Sequence, residues 1–195
     1  MTLDRIGDLG YRIIDPVVDT VAGWGVTPNQ ITVVSLTFSF VAAGSIIYGG
    51  VYGYLAAAFF VLFTGFLDIL DGQVARRTGA STDRGDFLDH TIDRYADAVL
   101  VVGVTAGTGY WIPGFFAVSG VLLTAYMGTQ ADAIGLDRMY GGFLTRADIL
   151  SLVFTGVILQ IFFGDVLFWV LVLLAVGGNL TAVQRFVMIW HGVTE

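Results

Sequence analysis

Six apolar stretches, near 30–49, 54–75, 88–106, 111–131, 147–163 and 166–190, decide what this chain can fold into. A helix needs about 20 apolar residues to cross roughly 30 Å of hydrocarbon. Each stretch can supply that, the fifth being the shortest. Composition agrees: 56% of residues are hydrophobic and 13% charged, where soluble domains carry about 25% charged residues. A water-soluble globular domain, a disordered chain and a coiled coil are thereby excluded. A length of 195 residues predicts a single domain, 1–195. The fold class expected is all-α integral membrane: six transmembrane helices over 27–190, preceded by an amphipathic juxtamembrane helix over 1–26.

The first segment is mixed rather than apolar. Ile6, Leu9, Ile13, Val17 and Val21 recur at helical spacing, with Asp4, Asp8, Arg12, Asp15 and Asp19 between them. That pattern predicts a helix lying on the membrane surface, kinked or split at Pro16. No basic segment followed by a cleavage site opens the chain, so no signal peptide is expected. The membrane core starts sharply: Thr27 is a natural N-cap, Pro28 suits the first helical position and Gln30 completes a capping box.

Orientation follows from the arginines. The connections near 50–53, 107–110 and 164–165 carry none. Arg5, Arg12, Arg76, Arg77, Arg84, Arg94, Arg138, Arg146 and Arg185 all fall on the other side, which is expected to be the cytoplasm. A multi-pass protein of the cell membrane with both termini cytoplasmic is predicted. Small-xxx-small patterns such as Gly103 with Gly107 let helix backbones approach closely, a dimer seam being the lesser reading of them.

The chain has no cysteine and two histidines, which excludes disulfides, thiolate metal sites and a cysteine nucleophile, and argues against a zinc site built on several histidines. Its charges are unusual in kind: nine Arg without a Lys, fifteen Asp against one Glu, and a net charge of -7. Such a composition resembles proteins of salt-loving archaea, and predicts a sharp loss of stability in low salt. It argues against nucleic acid as a partner, since phosphate neutralisation needs clustered cations.

The informative stretch is 68–93. Asp68 and Asp71 lie three apart at the cytoplasmic end of the second span, and Asp89 and Asp93 four apart at the start of the third. Each pair shares one helix face, and the short connection brings the pairs together. Four converging carboxylates need positive charge among them. Hard divalent cations meet that need, and Mg²⁺ commonly shares its shell with substrate phosphates. Gly72 and Ala75 leave room against the helix, Arg76 can grip phosphate, and Gly85 keeps the connection open. Helix-dipole effects account for Asp86 or Asp89 alone, but not for Asp68 and Asp71 after a long apolar run.

The pattern Asp68-x2-Asp71-Gly72-x2-Ala75-Arg76-x8-Gly85-x3-Asp89-x3-Asp93 resembles the signature of the CDP-alcohol phosphotransferases at every fixed position. Six membrane helices, a leading surface helix and the Thr27-Pro28-Asn29 start are similar to that family too. The resemblance implies a membrane enzyme that moves a phosphatidyl-type group from a CDP-linked lipid to a small polar alcohol and releases CMP. It implies Asp68, Asp71, Asp89 and Asp93 as metal ligands, with Asp93 also the base on the acceptor hydroxyl. It implies two Mg²⁺ or Mn²⁺ ions, CDP contacts from Asn29, Asp68, Asp71, Gly72, Ala75, Arg76 and Gly85, and a homodimer.

The acceptor is less legible. Arg146 and Arg185 are similar to arginines that hold the acceptor's phosphate in the branch making phosphatidylinositol phosphate or archaetidylinositol phosphate, and Arg138 offers a third cation. A phosphorylated acceptor, inositol phosphate or glycerol phosphate, is therefore expected. That branch also has basic residues where this chain reads Tyr126-Met127-Gly128-Thr129-Gln130, which leaves free inositol, glycerol and serine open. An archaeal setting makes CDP-archaeol the donor in place of CDP-diacylglycerol. Asp97 is expected to pair with Arg94, and His90 to be structural. A small cation or proton transporter is the competing class, but its charges belong near the bilayer midplane and between repeated halves, neither of which this sequence shows.

Overall fold

The computed structural model describes residues 14–136 and 144–193. Seven helices and no strands occur among them. Helix α1 covers 14–23. It is followed by α2 (Pro28–Tyr48), α3 (Gly50–Thr78), α4 (Asp83–Thr108), α5 (Trp111–Ala133), α6 (Arg146–Gln160) and α7 (Val166–Gly192). The last six coincide with the six predicted stretches. The capping box at Thr27 with Gln30 and the proline at the start of α2 are both present.

Four helices, α2, α3, α5 and α7, are long and apolar enough to cross a membrane, which makes the chain a multi-pass membrane protein. Of the six predicted spans, α4 and α6 fall short for separate reasons. Helix α4 carries Asp83, Arg84, Asp86, Asp89, Asp93, Arg94 and Asp97. Helix α6 has 15 residues, or roughly 22 Å of rise. Both are nonetheless central to the packing. Leu100 and Val104 of α4 and Val153 and Val157 of α6 are fully buried, in one cluster with Ile46, Val61, Val121, Leu171 and Leu174. The outer faces carry exposed apolar side chains such as Phe40, Leu62, Phe115, Leu173 and Leu180, as a lipid-facing surface requires.

Two expectations need correction. The connection predicted over 50–53 does not exist as a loop, because α3 already begins at Gly50. Gly49 and Gly50 turn the chain with φ of 71° and 66°, a region open to glycine at little cost. The docking face of α1 also differs from the predicted stripe. Val18 is buried, and Ile14, Val18 and Val21 pack with Ile31, Leu70 and Val74 of α2 and α3, while Val17 is exposed. The spacing i, i+4, i+7 still makes one helical face, but that face meets protein. Arg77 fastens the same helix through ion pairs to Asp15 and Asp19. The helix runs from 14 to 23 without a break at Pro16; Ile6, Leu9 and Ile13 lie outside the described residues.

Glycines set the closest helix approaches. A Cβ on Gly103 would lie 2.6 Å from Ala43 Cβ, and one on Gly107 would lie 2.9 Å from the Ile46 carbonyl oxygen. That pair therefore seals α4 against α2 within the chain. Between α5 and α7 the approach is backbone to backbone: a Cβ on Gly178 would sit 2.9 Å from the Gly120 carbonyl carbon. Gly178→Leu is expected to destabilise the fold by about 1–3 kcal/mol or more, read as a lower Tm in detergent. Gly44→Ala, with nothing within 4 Å of the new Cβ, serves as the control that leaves Tm unchanged or raises it.

The arginine-free turns gather at one end. Tyr110 packs on Phe168 with ring centroids 4.7 Å apart, and its hydroxyl donates to Asp165 Oδ1 at 3.4 Å. The aspartates of the motif lie at the opposite ends of α3 and α4.

Candidate active site

The hairpin of α3 and α4 brings the motif together as its spacing requires. Gly79 ends α3 in the left-handed conformation, its N–H donating to the Ala75 carbonyl. Thr82 then caps α4, its hydroxyl accepting from the Gly85 N–H at 3.1 Å. With so short a link, the last three turns of α3 and the first two turns of α4 direct their carboxylates at one another, while both helices pack on α2. Asp68, Asp71 and Asp89 each present a carboxylate oxygen, all within 4.8 Å of one another.

Each carboxylate has a different environment. Asp71 is buried, and its Oδ2 accepts a hydrogen bond from Thr32 of α2 at 2.7 Å. Asp89 Oδ1 is enclosed and accepts no hydrogen bond from the described residues. Asp68 and Asp93 are both ion-paired with Arg146 Nη1, which reaches in from the first turn of α6. Asp97, one turn deeper, places its two oxygens 3.3 Å from Arg94 Nη1 and 3.4 Å from Arg146 Nε. Arg146 itself is fixed by its position. It follows Thr145, which caps α6 in a box with Asp148, and the Leu144 N–H donates to Thr181 of α7 at 3.1 Å.

The triad fits a divalent cation. Three carboxylates converge, no arginine pairs with Asp71 or Asp89 among the described residues, and one enclosed Asp89 oxygen has no donor. Hard oxygen ligands of this kind suit Mg²⁺ or Mn²⁺. Asp93 is not part of the triad in this structure, since its carboxylate is turned to Arg146 and, at 3.9 Å, to Arg94.

Two cavities flank the aspartate row. One, of about 220 Å³, is walled by Asn29, Thr32, Asp71, Gly72, Ala75, Arg76, Gly85 and Asp89. It gathers every residue expected to contact CDP except Asp68. Gly85 fits closely into that wall: a Cβ there would lie 3.2 Å from Thr82 Oγ1 and 3.5 Å from Asn29 Oδ1. The second cavity, of about 600 Å³, is lined by His90, Asp93, Arg94, Tyr126, Thr129, Arg146 and Arg185, with apolar walls from α5 and α6. Asp89 faces the first cavity and Asp93 the second, one helical turn apart on α4.

Of the three arginines expected at the acceptor, Arg146 and Arg185 share this second cavity, and Arg138 lies outside the described residues. Arg185 is buried and donates from Nη1 to the Thr124 carbonyl at 2.7 Å. Sequence reasoning missed Thr32 and the place of Arg94. Thr32 lies three residues after Asn29 on the same face of α2, a signal that was present. Arg94 carried none, because residues adjacent on a helix point about 100° apart and its neighbour Asp93 says nothing of which cavity it meets. The expected Asp97–Arg94 pair is present, and His90 bonds within its own helix, to the Asp86 carbonyl at 2.7 Å.

Comparisons with known proteins agree with this geometry. The family model described as CDP-alcohol phosphatidyltransferase matches residues 25–177. The archaetidylinositol phosphate synthase of Methanothermobacter thermautotrophicus is 31% identical over 92% of this chain and 90% of its own length. The phosphatidylinositol phosphate synthase of Mycobacterium tuberculosis is 33% identical over 92% and 86%. A crystal structure of the latter enzyme with CDP-DAG bound superposes with a TM-score of 0.83 at 30% identity, covering 92% of this chain and 94% of that one. Another, in complex with manganese and citrate, gives 0.81 at 29% identity over 90% and 88%. The sequence, the helical frame and the paired aspartates thus place the chain in one enzyme class: it belongs to the CDP-alcohol phosphatidyltransferase family and is a transferase.

Proposed function

We propose that this chain transfers the lipid-bearing phosphoryl group of a CDP-linked lipid to a phosphorylated polyol, inositol phosphate first among them, and releases CMP. The observation that carries the reading is the division of the aspartate row between two cavities, with Arg94, Arg146 and Arg185 together in the larger one. The small cavity, with Asn29, Gly72, Ala75, Arg76 and Gly85 in its wall, takes the CDP portion. The larger, with Arg146 and Arg185, takes the acceptor. The names of the relatives support inositol phosphate, while the uncharged run at 126–130, part of which lines that cavity, keeps glycerol phosphate in the test.

In the proposed reaction Asp93 accepts the proton of the acceptor hydroxyl. The hydroxyl oxygen attacks the phosphorus that bears the lipid, and the bond from that phosphorus to the bridging oxygen of the diphosphate breaks. The electron pair leaves on CMP. Asp68, Asp71 and Asp89 would hold a divalent ion, which would supply the positive charge that the diphosphate and the departing CMP need. Arg146 has two tasks: with its Nε kept beside Asp97, its Nη1 turns from Asp93 to the acceptor's phosphate, and Asp93 is then free to act as base.

We also propose that α4 and α6 cross the membrane with the four apolar helices. Six crossings then put both termini and the arginine-bearing end in the cytoplasm, where soluble acceptors are found. A homodimer in the cell membrane completes the proposal.

The experiment is CMP release by purified protein with Mg²⁺ or Mn²⁺, tested with CDP-archaeol and CDP-diacylglycerol. The acceptors are inositol 1-phosphate, glycerol phosphate, inositol, glycerol and serine. CMP formation with a phosphorylated acceptor is expected. Turnover with unphosphorylated acceptors alone would overturn the reading of the arginines and leave the family untouched.

A further inference from the structure

Asp97 takes no part in the chemistry just proposed, yet it is the most enclosed acid of the row, 0% exposed. Neither of its carboxylate oxygens makes a hydrogen bond with the described residues. A carboxylate buried in this way persists only beside compensating charge, and Asp97 has two guanidiniums. Its Oδ2 lies 3.3 Å from Arg94 Nη1 and its Oδ1 lies 3.4 Å from Arg146 Nε. Those two arginines come from different helices, and both line the 600 Å³ cavity beside Asp93.

Arg146 is under opposed pulls. Asp68 and Asp93 draw its Nη1 towards the triad, while Asp97 holds its Nε from one turn further along α4. Arg94 is likewise shared between Asp93 and Asp97. Without Asp97, both guanidiniums have only the other aspartates of the row as anionic partners, and those are the proposed metal ligands and base. Guanidinium recognises phosphate best as a planar fork held in place, because little rotamer freedom is then lost on binding. The cavity wall at Tyr126, Gly128 and Thr129 offers no cation of its own, so its selectivity depends on how the arginines are set.

We propose that Asp97 is a positioning residue: it holds Arg94 and Arg146 as one fork facing the acceptor cavity, and thereby makes the site select alcohols that carry a phosphate. This rests on the reading of that cavity as the acceptor site. Arg94 supplies the second cation of the fork, and Arg185, held at Thr124, closes it from α7.

The test compares wild type with Asp97→Asn and Asp97→Glu, reading donor KM, acceptor KM, kcat, Mn²⁺ affinity and inhibition by inorganic phosphate. Asp97→Asn is expected to raise KM for the phosphorylated acceptor by about tenfold or more, the loss of one charge-assisted contact. The inhibition constant for inorganic phosphate rises in parallel. Donor KM stays at the wild-type value, because neither Arg94 nor Arg146 lines the CDP cavity, while kcat and Mn²⁺ affinity fall less than acceptor affinity, only as far as the released guanidiniums pair more tightly with Asp93 and Asp68. The preference for phosphorylated over free alcohol falls by the same factor as KM rises, and Asp97→Glu restores part of it. Wild-type acceptor KM and phosphate inhibition in a folded Asp97→Asn enzyme would overturn the proposal. So would a joint loss of donor, Mn²⁺ and acceptor binding that Asp97→Glu does not relieve, since that is the mark of a purely structural residue. Failure of the wild type with every phosphorylated acceptor is a different result: it removes the functional reading itself, and this inference with it, before any variant is made.

Discussion

Asp93→Asn is expected to lower kcat for CMP release by about 10²–10⁴-fold, the range for loss of a general base, with donor affinity unchanged. The change keeps the shape of the side chain and removes its ability to take a proton. The surroundings tolerate it. Arg146 loses one of three anionic partners and keeps Asp68 and Asp97, so α6 stays docked. The cavity that holds the CDP portion in the proposed reaction does not include Asp93. The measurement pairs turnover with equilibrium binding of the CDP-lipid to the same purified variant. Turnover near wild type would remove Asp93 from the base role. Loss of donor binding would instead make it a ligand first and a base second.

Metal dependence is the second large effect. Chelation is expected to abolish activity, and Mg²⁺ or Mn²⁺ to restore it. Asp71→Asn is the sharper probe within the triad. Unlike Asp68 it has no arginine partner among the described residues, and an Asn at 71 can still accept the hydrogen bond from Thr32. The fold is therefore kept while one anionic ligand is lost. Activity should fall about 10³-fold, since a metal contributes several kcal/mol to a charged transition state. Mn²⁺ titration followed by electron paramagnetic resonance reads the site without turnover, and its stoichiometry decides between one ion and the two expected. Full Mn²⁺ affinity in Asp71→Asn would exclude Asp71 as a ligand.

The helices were legible because a bilayer demands long apolar runs, and because Thr27, Pro28 and Gln30 mark a start in local chemistry alone. Turns were harder. The Gly49–Gly50 reversal lies inside an apolar region, and nothing in the composition of 50–53 says that two residues suffice to turn the chain. The face of α1 was misplaced because Val17 and Val18 are equally apolar, and only the position of Leu70 and Val74 decides between them. Within the site, the aspartates could be read because their spacing is a helical property. The role of Arg146 as the cation among them could not. It comes from α6, far away in sequence, and its reach depends on how α6 packs on α3.

Helix α4 also acts as a measuring rod. Asp89, Asp93 and Asp97 stand at equal intervals along it, about 6 Å per step. On the proposed reading these marks stand at the donor, at the reacting hydroxyl and at the anchor of the acceptor's phosphate. A rod of hydrogen-bonded backbone does not lengthen, so the distance between hydroxyl and phosphate in a usable substrate is fixed by the pitch of a helix and not by the sway of a loop. On that reading, molecules with the right groups at the wrong separation are expected to be poor substrates. A single residue inserted between Asp89 and Asp97 would shift the graduations by 1.5 Å and turn them through about 100°, and the rod would no longer read.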